Sequence, residues 1–141
     1  MKTIAQQYTI FLFFFTILTA AQPVILKFGT TEARIEFAKK NIAFGLHSEN
    51  SGVVESLLML TAKLAVTYPT ENMTKIVFII DSLAVSSTSG PLRYKAYIVS
   101  NICSDPAWFD QNDLKTSTIP DHFFMIAARR LESKMLGISS R

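Results

Sequence analysis

The sequence predicts an all-α domain of about five helices behind an N-terminal leader. Apolar residues recur at helical spacing through most of the stretch from residue 32 to 136. Polar breaks bearing Gly, Ser or Pro separate those stripes at 47–52, 68–70, 86–90 and 104–106. Strand signals are nearly absent. Val24-Ile25-Leu26-Lys27-Phe28 is short and β-like, but one segment makes no sheet.

The elements follow in order. Residues 1–21 open with Lys2, continue with an apolar run from Ile10 to Leu18, and end on the small residues Thr19-Ala20-Ala21. That order is the layout of a cleavable signal peptide, and the run is shorter than the roughly 20 apolar residues a membrane span needs. No Cys follows it, which argues against a lipid anchor. The expected product is one domain, residues 22–141, exported to a periplasm or secreted, with no stable membrane span once the leader is removed.

Helix one is expected over about 32–46, with Thr30 or Thr31 as its cap and Ile35, Ala38, Ile42 and Leu46 as its stripe. Helix two, about 53–66, is apolar over most of its circumference and should be buried on more than one side. Tyr68-Pro69 stops it. Thr70 is expected to cap helix three, whose stripe is Met73, Ile76, Val77, Ile80 and Leu83.

Pro91 suits the first turn of helix four, where its missing N–H costs nothing. Leu92, Ala96, Val99 and Cys103 form the expected apolar face, with Arg93, Lys95, Ser100 and Asn101 outward. Trp108-Phe109 should fold back over the core, and 110–119 reads as loop. Helix five, about 120–136, is expected to bury Phe124, Ala127, Ala128, Leu131 and Met135. Gly137 would stop it.

The chain also resembles itself at a shift of 38 residues. Ser51-Gly52-Val53-Val54-Glu55 lies over Ser89-Gly90-Pro91-Leu92-Arg93, and Ile35, Ala38 and Ile42 lie over Met73, Ile76 and Ile80. Both helices of each pair match, so the repeated unit is a helical hairpin. Ser89-Gly90-Pro91-Leu92-Arg93-Tyr94-Lys95-Ala96-Tyr97 resembles the loop and inner-helix start of a HEAT-like repeat. The resemblance covers about 32–103 and assigns the opening proline, aliphatic, arginine and close-packing alanine to Pro91, Leu92, Arg93 and Ala96. The first hairpin departs from it, with Val53 and Glu55 at the proline and arginine positions. The resemblance implies two HEAT-like hairpins with the C-terminal helix as a cap, and a protein-binding surface.

Composition narrows the function. Hydrophobic residues make up 49% and charged residues 18%, against a usual charged share of about 25%. A disordered polyelectrolyte is excluded. A net charge of +3, one less without Lys2, gives no electrostatic case for nucleic acid. The single Cys103 can form no internal disulfide, and the two histidines, His47 and His122, fall short of a zinc ligand set.

A thiolate–imidazole pair of Cys103 and His122, steered by Asp121, is the nearest approach to a nucleophilic site; against it, Cys103 reads as core. Asp81 is expected to sit in solvent or to pair with Arg93 or Lys95. Asn72-Met73-Thr74 matches an N-glycosylation sequon.

The sequence therefore points away from an enzyme, with no metal and no cofactor expected. The expected function is a protein-binding or scaffold module with Arg93, Tyr94 and Tyr97 as its candidate interface, since Tyr and Arg are enriched at binding hot spots. The alternative is a carrier of an apolar small ligand held between helices. It rests on the apolar girth of helix two and on the many aromatic residues.

Overall fold

The computed structural model describes residues 30–109 and 112–137. The expected leader and the Val24–Phe28 segment lie outside these residues. Six helices and one 3-10 turn follow in order: α1 Thr31–Gly45, α2 Ser51–Thr67, α3 Thr74–Ser86, α4 Gly90–Ser104, the turn Pro106–Phe109, α5 Asn112–Thr116 and α6 Pro120–Met135. No strand occurs among the described residues. The all-α class is as the sequence predicts.

Caps explain the starts of the two central helices. Asn50 Oδ1 accepts from the backbone N–H groups of Gly52 at 3.0 Å and Val53 at 3.3 Å. Ser89 Oγ accepts from Leu92 N–H at 3.4 Å, with Pro91 in the first turn. Each cap satisfies donors that the helix cannot, an effect of about 1 kcal/mol. Helix α3 starts later than expected. Glu71 N–H donates to Tyr68 O and Asn72 Oδ1 accepts from Thr74 N–H, so Thr70 lies in a turn and caps nothing.

The helices pack in adjacent pairs. The most extensive contacts are α3 on α4 and α2 on α4, and α6 meets both α2 and α4. Helices α2, α4 and α6 run in one direction. Their first two turns meet at Lys95, which pairs with Glu55 of α2 and with Asp121 of α6 at 3.2 Å. At the far end Asp105, the C-cap of α4, pairs with Lys134 in the last turn of α6 at 2.7 Å. Short connections make α1 and α3 antiparallel to the helices that follow them. Gly45 supports the first of these hairpins, because a Cβ there would overlap a terminal methyl of Leu57.

Helix α4 is buried along two stripes rather than one. Ala96 and Val99 lie with Ser100, whose hydroxyl donates to Asp81 of α3 at 2.6 Å, while Ile98 and Ile102 follow Lys95 toward α2 and α6. Lys95 therefore turns inward, contrary to the single-face reading. Asp81 pairs with Ser100 and not with Arg93 or Lys95. The stretch 110–119 holds the short helix α5 and is not all loop; Lys63 of α2 donates to the Ser117 carbonyl just beyond it.

The core runs through every long helix. Ile42, Leu46, Leu58, Ile80, Ile98, Ile102, Phe109 and Phe123 are among its fully buried members. Phe123 and Phe124 meet edge to face, 5.2 Å between centroids. Burial coincides at some positions of the 38-residue shift and departs at others, as where Leu60 is exposed and Ile98 fully buried. Val54 and Leu92, Leu58 and Ala96, Thr61 and Val99, and Ile42 and Ile80 are buried pairwise. The caps do not keep that register: Val54 is the fourth residue after Asn50, Leu92 only the third after Ser89.

Candidate functional site

Tyr94 and Tyr97 stand one turn apart on the flank of α4 that faces α6 obliquely, and both are exposed. Along α6, Met125, Ala128, Arg129, Glu132 and Met135 recur at the same helical spacing and lie opposite them. With Leu131 and Leu136 these residues line an open groove of about 600 Å³ between the two parallel helices. The ends of the groove are fixed by the Lys95–Asp121 and Asp105–Lys134 pairs.

The groove lining is mainly apolar and open to solvent. Tyr94 is 55% exposed, Met135 72% and Leu136 66%. Met135, expected in the core, lies instead in solvent, because α6 continues past the helices that cover its earlier turns. Arg129 and Glu132 supply one charge of each sign among the lining residues.

The third candidate, Arg93, has a different role. Its Nη1 donates to the Ser87 carbonyl at 2.7 Å, bracing the turn before α4, and it does not line the groove. The structure brings two of the three candidate residues together and leaves Arg93 beside them as a local brace.

Lys95 is the electrostatic centre of the α4–α6 pair. Burial alone would lower its pKa, but hydrogen bonds to Glu55 and Asp121 and their charge outweigh it and hold the ammonium above the usual lysine value. The same Nζ lies 5.2 Å from the Phe124 ring centroid. At the other end the Lys134 ammonium holds the Asp105 carboxyl below its usual range, through a hydrogen bond first and charge second.

Cys103 and His122 are not brought together. His122 stands in the first turn of α6, where Nδ1 shares a 3.2 Å hydrogen bond with Ser117 Oγ. Cys103 lies about 12 Å further along α4 than Lys95, which marks that first turn. It lines a separate groove of about 440 Å³ with Met73, Val77 and Asp81. Burial, and then the Asp81 charge, push its thiol up to about 12, which suits a small core side chain and not a nucleophile. His47 is exposed in the α1–α2 turn, in a third groove beside Phe44 and Val53.

No known protein family, curated protein or solved structure matches the chain. Among the described residues, no group of three or more His, Cys, Asp or Glu side chains is placed to hold a metal ion. No helix of the described residues is long and apolar enough to cross a membrane.

Sequence reasoning missed Met125, Met135 and Leu136 as surface residues. The available signal was that α6 has more apolar positions than one stripe can bury: Phe123 and Phe124 already occupy adjacent directions around the helix.

Proposed function

We propose that the protein is an exported, non-catalytic binding module whose α4–α6 groove receives the apolar face of a helical segment from a protein partner. The groove itself is the observation that carries this reading. It presents two tyrosines and two methionines on a rigid pair of parallel helices, open to solvent. Tyrosine offers large contact area at little entropic cost, and methionine adapts to varied side chains. Apolar residues at successive turns of a partner helix would meet them in the helix-in-groove mode.

The hairpins support a HEAT-like reading of the scaffold. Ile42 and Ile80, Val54 and Leu92, Leu58 and Ala96, and Thr61 and Val99 are buried at corresponding positions of α1–α2 and α3–α4, and the Ser89-Gly90-Pro91-Leu92 start opens α4 as such repeats open. Helices α5 and α6 add a third, shortened hairpin where the repeat spacing would place one. Such stacks need neighbours to bury their faces, and α6 supplies that cover to α2 and α4. Export rests on the leader pattern of residues 1–21.

The test is affinity capture by the full chain from its own exported fraction, compared with the double variants Tyr94→Ser/Tyr97→Ser and Met125→Ser/Met135→Ser. One protein retained by the parent and lost at least tenfold with both variants supports the reading. A partner retained equally by all three places binding elsewhere and overturns the groove assignment. An apolar small molecule that copurifies with the parent alone moves the function to a ligand carrier, for which the groove volume is adequate.

A further inference from the structure

Two triplets in the chain fit the extended pattern Asn-x-(Ser, Thr or Cys): Asn72-Met73-Thr74 and Asn101-Ile102-Cys103. The structure separates them. Asn101 sits inside α4, half-buried, with its side-chain amide donating to the Tyr97 carbonyl at 2.9 Å. Its third residue, Cys103, is half-buried, and both ends of that triplet are held in the last turns of the helix.

Asn72 is placed differently. It lies in the connection between α2 and α3, outside any helix, and its side chain is exposed, as is that of Thr74. Only Met73 between them turns inward, buried against the core. The Asn72 Oδ1 accepts from Thr74 N–H at 3.0 Å, an Asx turn that commits the oxygen to the backbone and leaves the nitrogen as the outward atom. The Thr74 side chain stands at the start of α3.

We propose that Asn72 is an N-glycosylation site, with a lipid-pyrophosphate-linked oligosaccharide as the donor substrate. In the transfer, Asn72 Nδ2 forms a bond to the anomeric carbon of the first sugar. The bond from that carbon to the pyrophosphate oxygen breaks, the lipid pyrophosphate departs with the electron pair, and Nδ2 gives up one proton. A bulky polar chain at this position meets solvent and not core, which the folded structure requires of any such site. The α4–α6 groove contains no residue of the α2–α3 connection, so the sugar leaves it open. The proposal rests on the export reading, because the donor lies in the lumen of the eukaryotic secretory pathway.

The experiment translates the full chain with microsomes twice, once behind its own leader and once behind an established cleavable leader. Protease protection reports lumenal entry, and a mobility shift removed by peptide-N-glycosidase reports the sugar. With the established leader, a single shifted band is expected for the parent, for Thr74→Ser and for Asn101→Gln, and its loss for Asn72→Gln and Thr74→Ala. Thr74→Ala keeps the Asn72 amide, so its loss of the band reports the sequon and not a folding defect. A protected chain without a shift overturns the site, as does a shift that survives Asn72→Gln. Failure of entry behind the native leader alone sinks export while leaving the Asn72 result standing.

Discussion

Lys95 of α4 and Glu55 of α2 form an ion pair across 40 residues of chain, at the point where the first turns of three parallel helices converge. The pair is less than a quarter exposed on either side and shares its ammonium with Asp121. It therefore fixes the relative register of α2, α4 and α6, on which the shape of the groove depends.

Replacing Lys95 by Met should cost about 1–3 kcal/mol in urea unfolding, between the values of exposed and fully buried pairs. The double variant Lys95→Met/Glu55→Leu should recover much of that loss, because no buried charge is left alone. The pH dependence has a definite sign. A folded-state pKa above the usual lysine value makes the contribution complete at neutral pH and lost as pH rises through that raised value. The parent should lose more stability than Lys95→Met in alkaline titration. Parallel alkaline curves would show that the pair contributes nothing.

Cys103 should be inert in the folded protein. With its thiol near 12 against a usual 9.0, the thiolate population near pH 8 falls by roughly 10³-fold. Modification by a chromogenic disulfide reagent should be slowed by a comparable factor relative to the chain in denaturant. Equal rates in the two states would mean that α4 does not shield the sulfur.

Thr61 is fully buried, and its hydroxyl donates within its own helix, to Leu57 O at 2.7 Å. The position that corresponds to it in α4 is Val99, also fully buried. Thr61→Val should be neutral or stabilising by up to about 1 kcal/mol, since Leu57 O keeps its place in the helix ladder and a polar atom leaves the core. Urea unfolding would check this, and a loss above about 2 kcal/mol would show a further partner for the hydroxyl.

The helices were legible in the sequence because each has a one-turn stripe and a punctuated end. The Ser89-Gly90-Pro91 start and the Gly137 stop, where φ is +67°, are local signals that need no tertiary context. What was not legible depended on a second neighbour. Ile98 and Ile102 are buried because α2 and α6 cover a flank of α4 that no single-helix period reveals, and Lys95 turns inward for the same reason. Thr70 reads as a cap by residue type, but the Asx turn at Asn72 claims that role. The tyrosines of the groove were recognised by chemistry, whereas Met135 read as core because the sequence does not show that α6 outruns its cover.

The offset between caps and core has one more consequence. Inserting a residue within a helix turns everything after it by about 100° and would expose the buried stripe. Here α2 carries one more residue than α4 before its first buried position, yet Val54 and Leu92 hold equivalent places. The first turn absorbs the difference in length. The hairpin turns are thus the places where this scaffold accommodates insertions and deletions, leaving the lengths of its connections free to drift while the interior keeps its pitch.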